Sequence, residues 1–186
     1  MGKQRQAKHT KEISPYAWAL RIFLIAIALS AALSLLSETT LAGADIAMAL
    51  LILGLFILLG IGFDILGVAV TAADERPFHS AAAHREKGAK EALWLLRRAS
   101  YVSSFCNDVV GDICGIVSGT TGAVIVTRLQ SAFNVQNLLL SVAVTALVSG
   151  FTIGGKALGK NFAMEQSTKV VFLAGRFLHI FHRSSK

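Results

Sequence analysis

Apolar residues collect in four blocks along the 186-residue chain, and polar residues collect between them. A hydrocarbon core about 30 Å thick takes about 20 helical residues to cross. Four stretches reach that length, at about 16–37, 45–73, 101–127 and 137–158. The second is long enough to tilt or to project beyond a bilayer. The first has the basic start of a signal peptide, but its length and the membrane-like sequence after it mark it as a span. It opens at Pro15-Tyr16, with Trp18 at the expected interface. The pattern predicts an all-α, polytopic membrane protein with four transmembrane helices.

The block between the second and third spans, ADERPFHSAAAHREKGAKEALWLLRR, is not a plain loop. Pro77 breaks the emerging helix. After it, Phe78, Ala82, Ala89, Ala92, Leu93, Leu95 and Leu96 alternate with charges at near-helical spacing. One or two amphipathic helices at the membrane surface follow from that spacing, with Gly88 as the break between them. The tail VVFLAGRFLHIFHR repeats this character, with Phe172, Phe177, Leu178 and Phe181 on one side. The expected organisation is a basic N-terminus (1–15), a four-helix transmembrane domain (16–160) with juxtamembrane amphipathic helices at about 76–100, and an amphipathic C-terminal tail (161–186).

Composition agrees: 54% of residues are hydrophobic and only 16% charged, too little polar surface for a soluble domain of this size. The formal charge is +7, and its placement sets the orientation. Lys3, Arg5, Lys8 and Lys11 precede the first span; Arg76, Arg85, Lys87, Lys90, Arg97 and Arg98 crowd the central connection; Lys156, Lys160, Lys169, Arg176, Arg183 and Lys186 occupy the C-terminal part. Residues 37–44 carry no Lys or Arg, and 128–137 carry only Arg128. This positive-inside pattern places both termini in the cytoplasm of a plasma (cell inner) membrane protein. Because the basic residues flank membrane segments, no nucleic-acid partner is expected; membrane lipid is. Cys106 and Cys114 read as small buried residues, not as a disulfide or zinc site. No nucleophile–base pair, H-E-x-x-H or phosphate loop is present, so an enzyme is not expected.

Candidate chemistry concentrates in SFCNDVVGDICGIVSGTTG, residues 104–122. Residues four apart share a helix face, so Ser104, Asp108 and Asp112 align, with Asn107 on an adjoining face. Gly111, Gly115 and Gly119 have small-xxx-small spacing, which permits close helix approach. Asp64 is a further deep acid, on the second span. An ionised Asp at mid-bilayer costs ~2.5–3.5 kcal/mol on insertion scales. Such acids therefore bind a cation, pair with a Lys or carry a proton. Hard oxygen ligands suit Mg²⁺, Ca²⁺, Mn²⁺ or Na⁺. On the fourth span, SGFTIGGKALGK carries Gly150, Gly154, Gly155 and Gly159, each costing roughly 1 kcal/mol in a helix. That predicts a broken helix end with free carbonyls, next to Lys156 and Lys160. The bland reading sets Asp64, Asp108 and Asp112 in structural salt bridges with those lysines.

The order of parts resembles the transmembrane domain of the cyclin-M and bacterial CorB/CorC proteins, a family linked to Mg²⁺ efflux. Val70-Thr71-Ala72-Ala73-Asp74 ends the second span, and Gly88-Ala89-Lys90-Glu91-Ala92-Leu93 through Leu96 matches the family's juxtamembrane G-x-x-x-A-L-x-L-L. Val102-Ser103-Ser104 is similar to the L-S start of the next helix, and Gly155-Lys156-Ala157-Leu158-Gly159-Lys160 falls on G-E-x-x-P-K, with Gln166-Ser167-Thr168-Lys169 on N-P-E-K. The resemblance covers about residues 50–175, with the first helix an addition. Lys156 and Gly159 stand where the family has Glu and Pro, and no S-x-S-E precedes Val70.

The resemblance implies a homodimer and a dehydrated Mg²⁺ held inside the bundle. On this chain Ser104, Asn107, Asp108 and Asp112 would supply oxygens, Asp64 would face them, and the Gly154 and Gly155 carbonyls would complete the cage. The first expectation is therefore a divalent-cation transporter-like protein. The alternative is a non-transporting scaffold or regulator with a membrane or cytoplasmic protein partner, in which an Asp–Lys salt bridge replaces the ion. Lys156 and Lys160 are the charge partners in that case.

Overall fold

A computed structural model describes residues 15–133 and 138–184. The expected basic N-terminus, the link between the third and fourth spans and the last two residues lie outside these, as do the side chains of Trp18 and Phe181. The described residues are helical apart from short links, with no strand among them. Four helices are long and apolar enough to cross a membrane.

Helix α1 (Pro15–Ala42) runs past its expected end because the Thr39 and Thr40 hydroxyls donate to the carbonyls of Leu35 and Leu36, keeping these polar residues helical. Asp45 then caps α2 (Ile46–Ala72), its carboxylate accepting from the Met48 N–H at 2.9 Å. The third span is composite. Helix α5 (Ala99–Ser104) passes into a π-helical segment, Phe105–Gly111, and then into α6 (Asp112–Phe133). The fourth, α7 (Leu138–Glu165), is continuous.

This overturns the expected glycine break. Gly155 and Gly159 lie against Ile61 and Ile65 of α2, whose side chains occupy the space that two Cβ atoms would take. Close packing thus offsets a propensity cost measured on helices in water. Continuity also keeps the backbone hydrogen-bonded within the helix.

Two apolar cores result. One joins α1, α2 and the third span through Leu41, Ile52, Phe56, Val109, Ile113 and Ile125. The other gathers the remaining elements at one end of the bundle. Pro77 sits in the first turn of α3 (Arg76–Ala83), where its missing N–H is harmless, so it starts a helix after α2 has already ended. Gly88, at φ 87°, separates α3 from α4 (Ala89–Leu96). Phe78, Leu93, Leu96, Val102 and Val171 are buried together there. The tail helix α8 (Ser167–Ser184) packs back on α4 and α2; Phe172 stacks on Phe78 at 4.4 Å, and His179 Nδ1 lies 2.8 Å from Glu91 Oε1.

At the opposite end, the Arg128 guanidinium donates to the carbonyls of Leu41 and Ala44, just where α1 stops. It joins the Ala44 N–H at the Leu41 carbonyl and meets the negative end of the helix dipole. Arg128→Ala is expected to lower unfolding free energy by about 1.5–3 kcal/mol, the range for hydrogen bonds to a charged group. Arg128→Lys should recover only part of it. Denaturant titration in detergent, followed by circular dichroism, measures both.

Candidate functional site

The site begins with one face of α2. Gly60, Asp64 and Gly67 recur at four- and three-residue spacing and therefore line one helical stripe. The glycines let the third span approach: a Cβ on Gly60 would lie 3.1 Å from Cys114 Cβ, and one on Gly67 would overlap the Asn107 amide oxygen. The stripe thus packs on the π-helical segment, Asp64 in the middle of it. The neighbouring Ile61 and Ile65 fit the glycine hollows of α7, and that contact sets the next residues, Lys156 and Lys160, beside Asp64.

Asp64 is 4% exposed. Lys156 Nζ is 4.0 Å from its Oδ1 and Lys160 Nζ is 3.9 Å from its Oδ2. Both are ion pairs too long for direct hydrogen bonds, so Oδ2 is buried with no hydrogen-bond partner. The two lysines differ in setting. The Lys156 side chain is 23% exposed and its ammonium also lies against Gly111 of the π segment; that of Lys160 is 53% exposed. The core of the cluster carries one negative and two positive fixed charges.

Asn107 is drawn into the same contact. Its Nδ2 donates to Ser103 Oγ at 3.3 Å, while its Oδ1 is buried against Gly67 without a partner. Two oxygens without partners, one on Asp64 and one of Asn107 against Gly67, therefore lie along one stripe of α2, within about one helical turn of each other. The π segment that carries Asn107 widens the helix, a feature frequent at functional sites.

The other expected ligands do not join this cluster. Asp108 and Asp112 are exposed and, among the described residues, form no ion pair or hydrogen bond. They line a groove of about 580 Å³ between α1 and the third span, with Ser30 and Ser34 opposite. Ser104 ends α5 and makes no side-chain hydrogen bond among the described residues. Gly154 and Gly155 lie inside the continuous α7, their carbonyls committed to the helix ladder. The expected single cage of seven residues is thus divided: Asp64 meets Lys156 and Lys160, Asn107 packs on Gly67, and Asp108 and Asp112 face away. No group of three or more His, Cys, Asp or Glu placed to hold a metal ion occurs among the described residues.

Asp64 lies ~12 Å from the end of a helix ~40 Å long, and Asp108 and Asp112 lie ~13 Å and ~20 Å from the start of a composite span ~52 Å long. Of the three acids, Asp64 alone has ammonium partners among the described residues.

No family model, curated protein or solved structure matches this chain.

Proposed function

We propose that this chain is a polytopic membrane scaffold or regulatory partner, with the transmembrane architecture of the CorB-like class, in which lysine ammonium groups occupy the place of an interior cation. The observation that carries the reading is the buried Asp64 carboxylate set between Lys156 and Lys160 at about 4 Å. A divalent ion beside either ammonium at that distance is opposed by ~8 kcal/mol at an effective dielectric of 20, twice the unit-charge value. The excess basic charge at the end bearing α3, α4 and α8 supports a cytoplasmic location for that end. Gly115 and Gly119, with open space beside them, leave a face of small residues on the third span compatible with the homodimer that the resemblance implies.

Mg²⁺ transport is a second reading, favoured by one observation: Asp108, Asp112, Ser30 and Ser34 line the same groove. Calorimetry on the detergent-solubilised full chain separates the two. The scaffold reading expects no saturable Mg²⁺ heat and no thermal shift at millimolar Mg²⁺. Saturable heat abolished by Asp108→Ala or Asp112→Ala would replace it with the transport reading.

A further inference from the structure

We propose that the pocket between the α3–α4 turn and α8 binds the phosphate headgroup of an anionic phospholipid. Its rim carries Arg85, Lys87 and Lys90, facing His179 across a hollow of about 450 Å³. None of the three basic side chains forms an ion pair or hydrogen bond among the described residues. Two acids share the wall; Glu91 is engaged by His179 and Glu86 offsets one cation, so the pocket stays net positive.

Backbone geometry gathers these charges. Arg85 and Gly88 both have left-handed φ, at 57° and 87°, which folds the link tightly and turns Arg85, Lys87 and Lys90 toward one hollow. The crossing of Gly88 over Gly175 then brings the later part of α8, including His179, up as the opposite wall. The surroundings favour a lipid over a free phosphate. Helix α8 presents Leu173, Phe177 and Ile180 outward at i, i+4 and i+7, apolar contact for an acyl chain. Nearby on α4, Trp94 is half-exposed with the Arg98 guanidinium 4.7 Å above its ring, an amphipathic pair suited to the membrane–water boundary. The inference rests on membrane insertion, and it is independent of the Asp64 cluster.

Each basic group near an anionic surface contributes roughly fivefold to binding. With Glu86 and Glu91 counted against the three bases, enrichment of anionic over zwitterionic lipid of about fivefold is expected. The test uses the full chain in mixed phosphatidylglycerol–phosphatidylcholine nanodiscs, with retained lipid counted by native mass spectrometry. Arg85→Ala/Lys87→Ala/Lys90→Ala should reduce enrichment to the phosphatidylcholine level, with thermal unfolding unchanged in phosphatidylcholine alone. Arg76→Ala/Arg97→Ala/Lys169→Ala, which removes three exposed charges from the same end, should retain it. Equal loss in both variants would reduce the effect to general charge attraction and overturn the site, as would enrichment that survives the triple variant or is absent from the unaltered chain. Displacement of phosphatidylglycerol by millimolar inorganic phosphate would overturn the lipid assignment in favour of a soluble phosphate site.

Discussion

Asp64→Ala is expected to destabilise the bundle by about 3–5 kcal/mol, the cost of leaving buried charge uncompensated. The lower part of that range applies, because Lys160 is half-exposed and can turn toward the headgroups. The same geometry ranks the single variants. Lys156→Ala removes the more enclosed partner and should cost less than Asp64→Ala, since Lys160 still balances the carboxylate. Lys160→Ala should cost only ~0–1 kcal/mol, as exposed pairs do. Denaturant titration in mixed micelles gives the three values. A double-mutant cycle with the reversed pair Asp64→Lys/Lys156→Asp then isolates the coupling. Additive effects, or an Asp64→Ala variant as stable as the parent, would remove the cluster's claim to organise the interior.

The second large effect is expected at the crossing of α4 and α8. A Cβ on Gly88 would lie 2.5 Å from the Arg176 backbone nitrogen, at a φ of 87° that L side chains rarely adopt. A Cβ on Gly175 would meet the Gly88 carbonyl oxygen and Ala92. Backbone cannot move aside as a flexible side chain can. Left-handed strain of ~1–2 kcal/mol and overpacking of ~1–3 kcal/mol together give Gly88→Ala a cost of about 2–5 kcal/mol. That energy is charged to the docking of α8. Hydrogen exchange should therefore rise sharply over 167–184 in Gly88→Ala and Gly175→Ala while protection in α2 and α7 persists. Gly62→Ala is the matched control, with nothing within 4 Å of its added Cβ and a small helix-propensity gain expected. If exchange over 167–184 is unchanged in both crossing variants, the tail is held by something other than this contact.

Much of this architecture is legible in the sequence because length and hydropathy are sufficient for it. The four apolar blocks mark the four long helices, Gly88 marks the break between α3 and α4, and the alternation in 170–183 marks an amphipathic helix. The site is less legible. Helical periodicity placed Ser104, Asp108 and Asp112 on one face, but periodicity does not say which face meets α2. The π-helical stretch, which nothing in FCNDVVG announces, shifts the phase of the third span partway along. The available signal lay on the partner: Gly60 and Gly67 bracket Asp64 on its own face, and an acid flanked by small residues on a helix surface is placed for close contact. The glycines of 150–159 were ambiguous in kind. A Gly-rich run reads as a break by propensity and as a hollow by packing, and only the positions of Ile61 and Ile65 decide between them.

The attachment of α1 has a mechanical consequence. Among the described residues its polar ties, Ser37 to Thr121 and Arg128 to the carbonyls of Leu41 and Ala44, all gather near one tip. Along the rest of its length it packs on the core through its own apolar side chains, such as Ile22, Ala26 and Leu29, with no polar tie among the described residues. Such a rod is fastened like a gatepost at one end, so apolar contact alone holds its opposite end beside the acidic cleft.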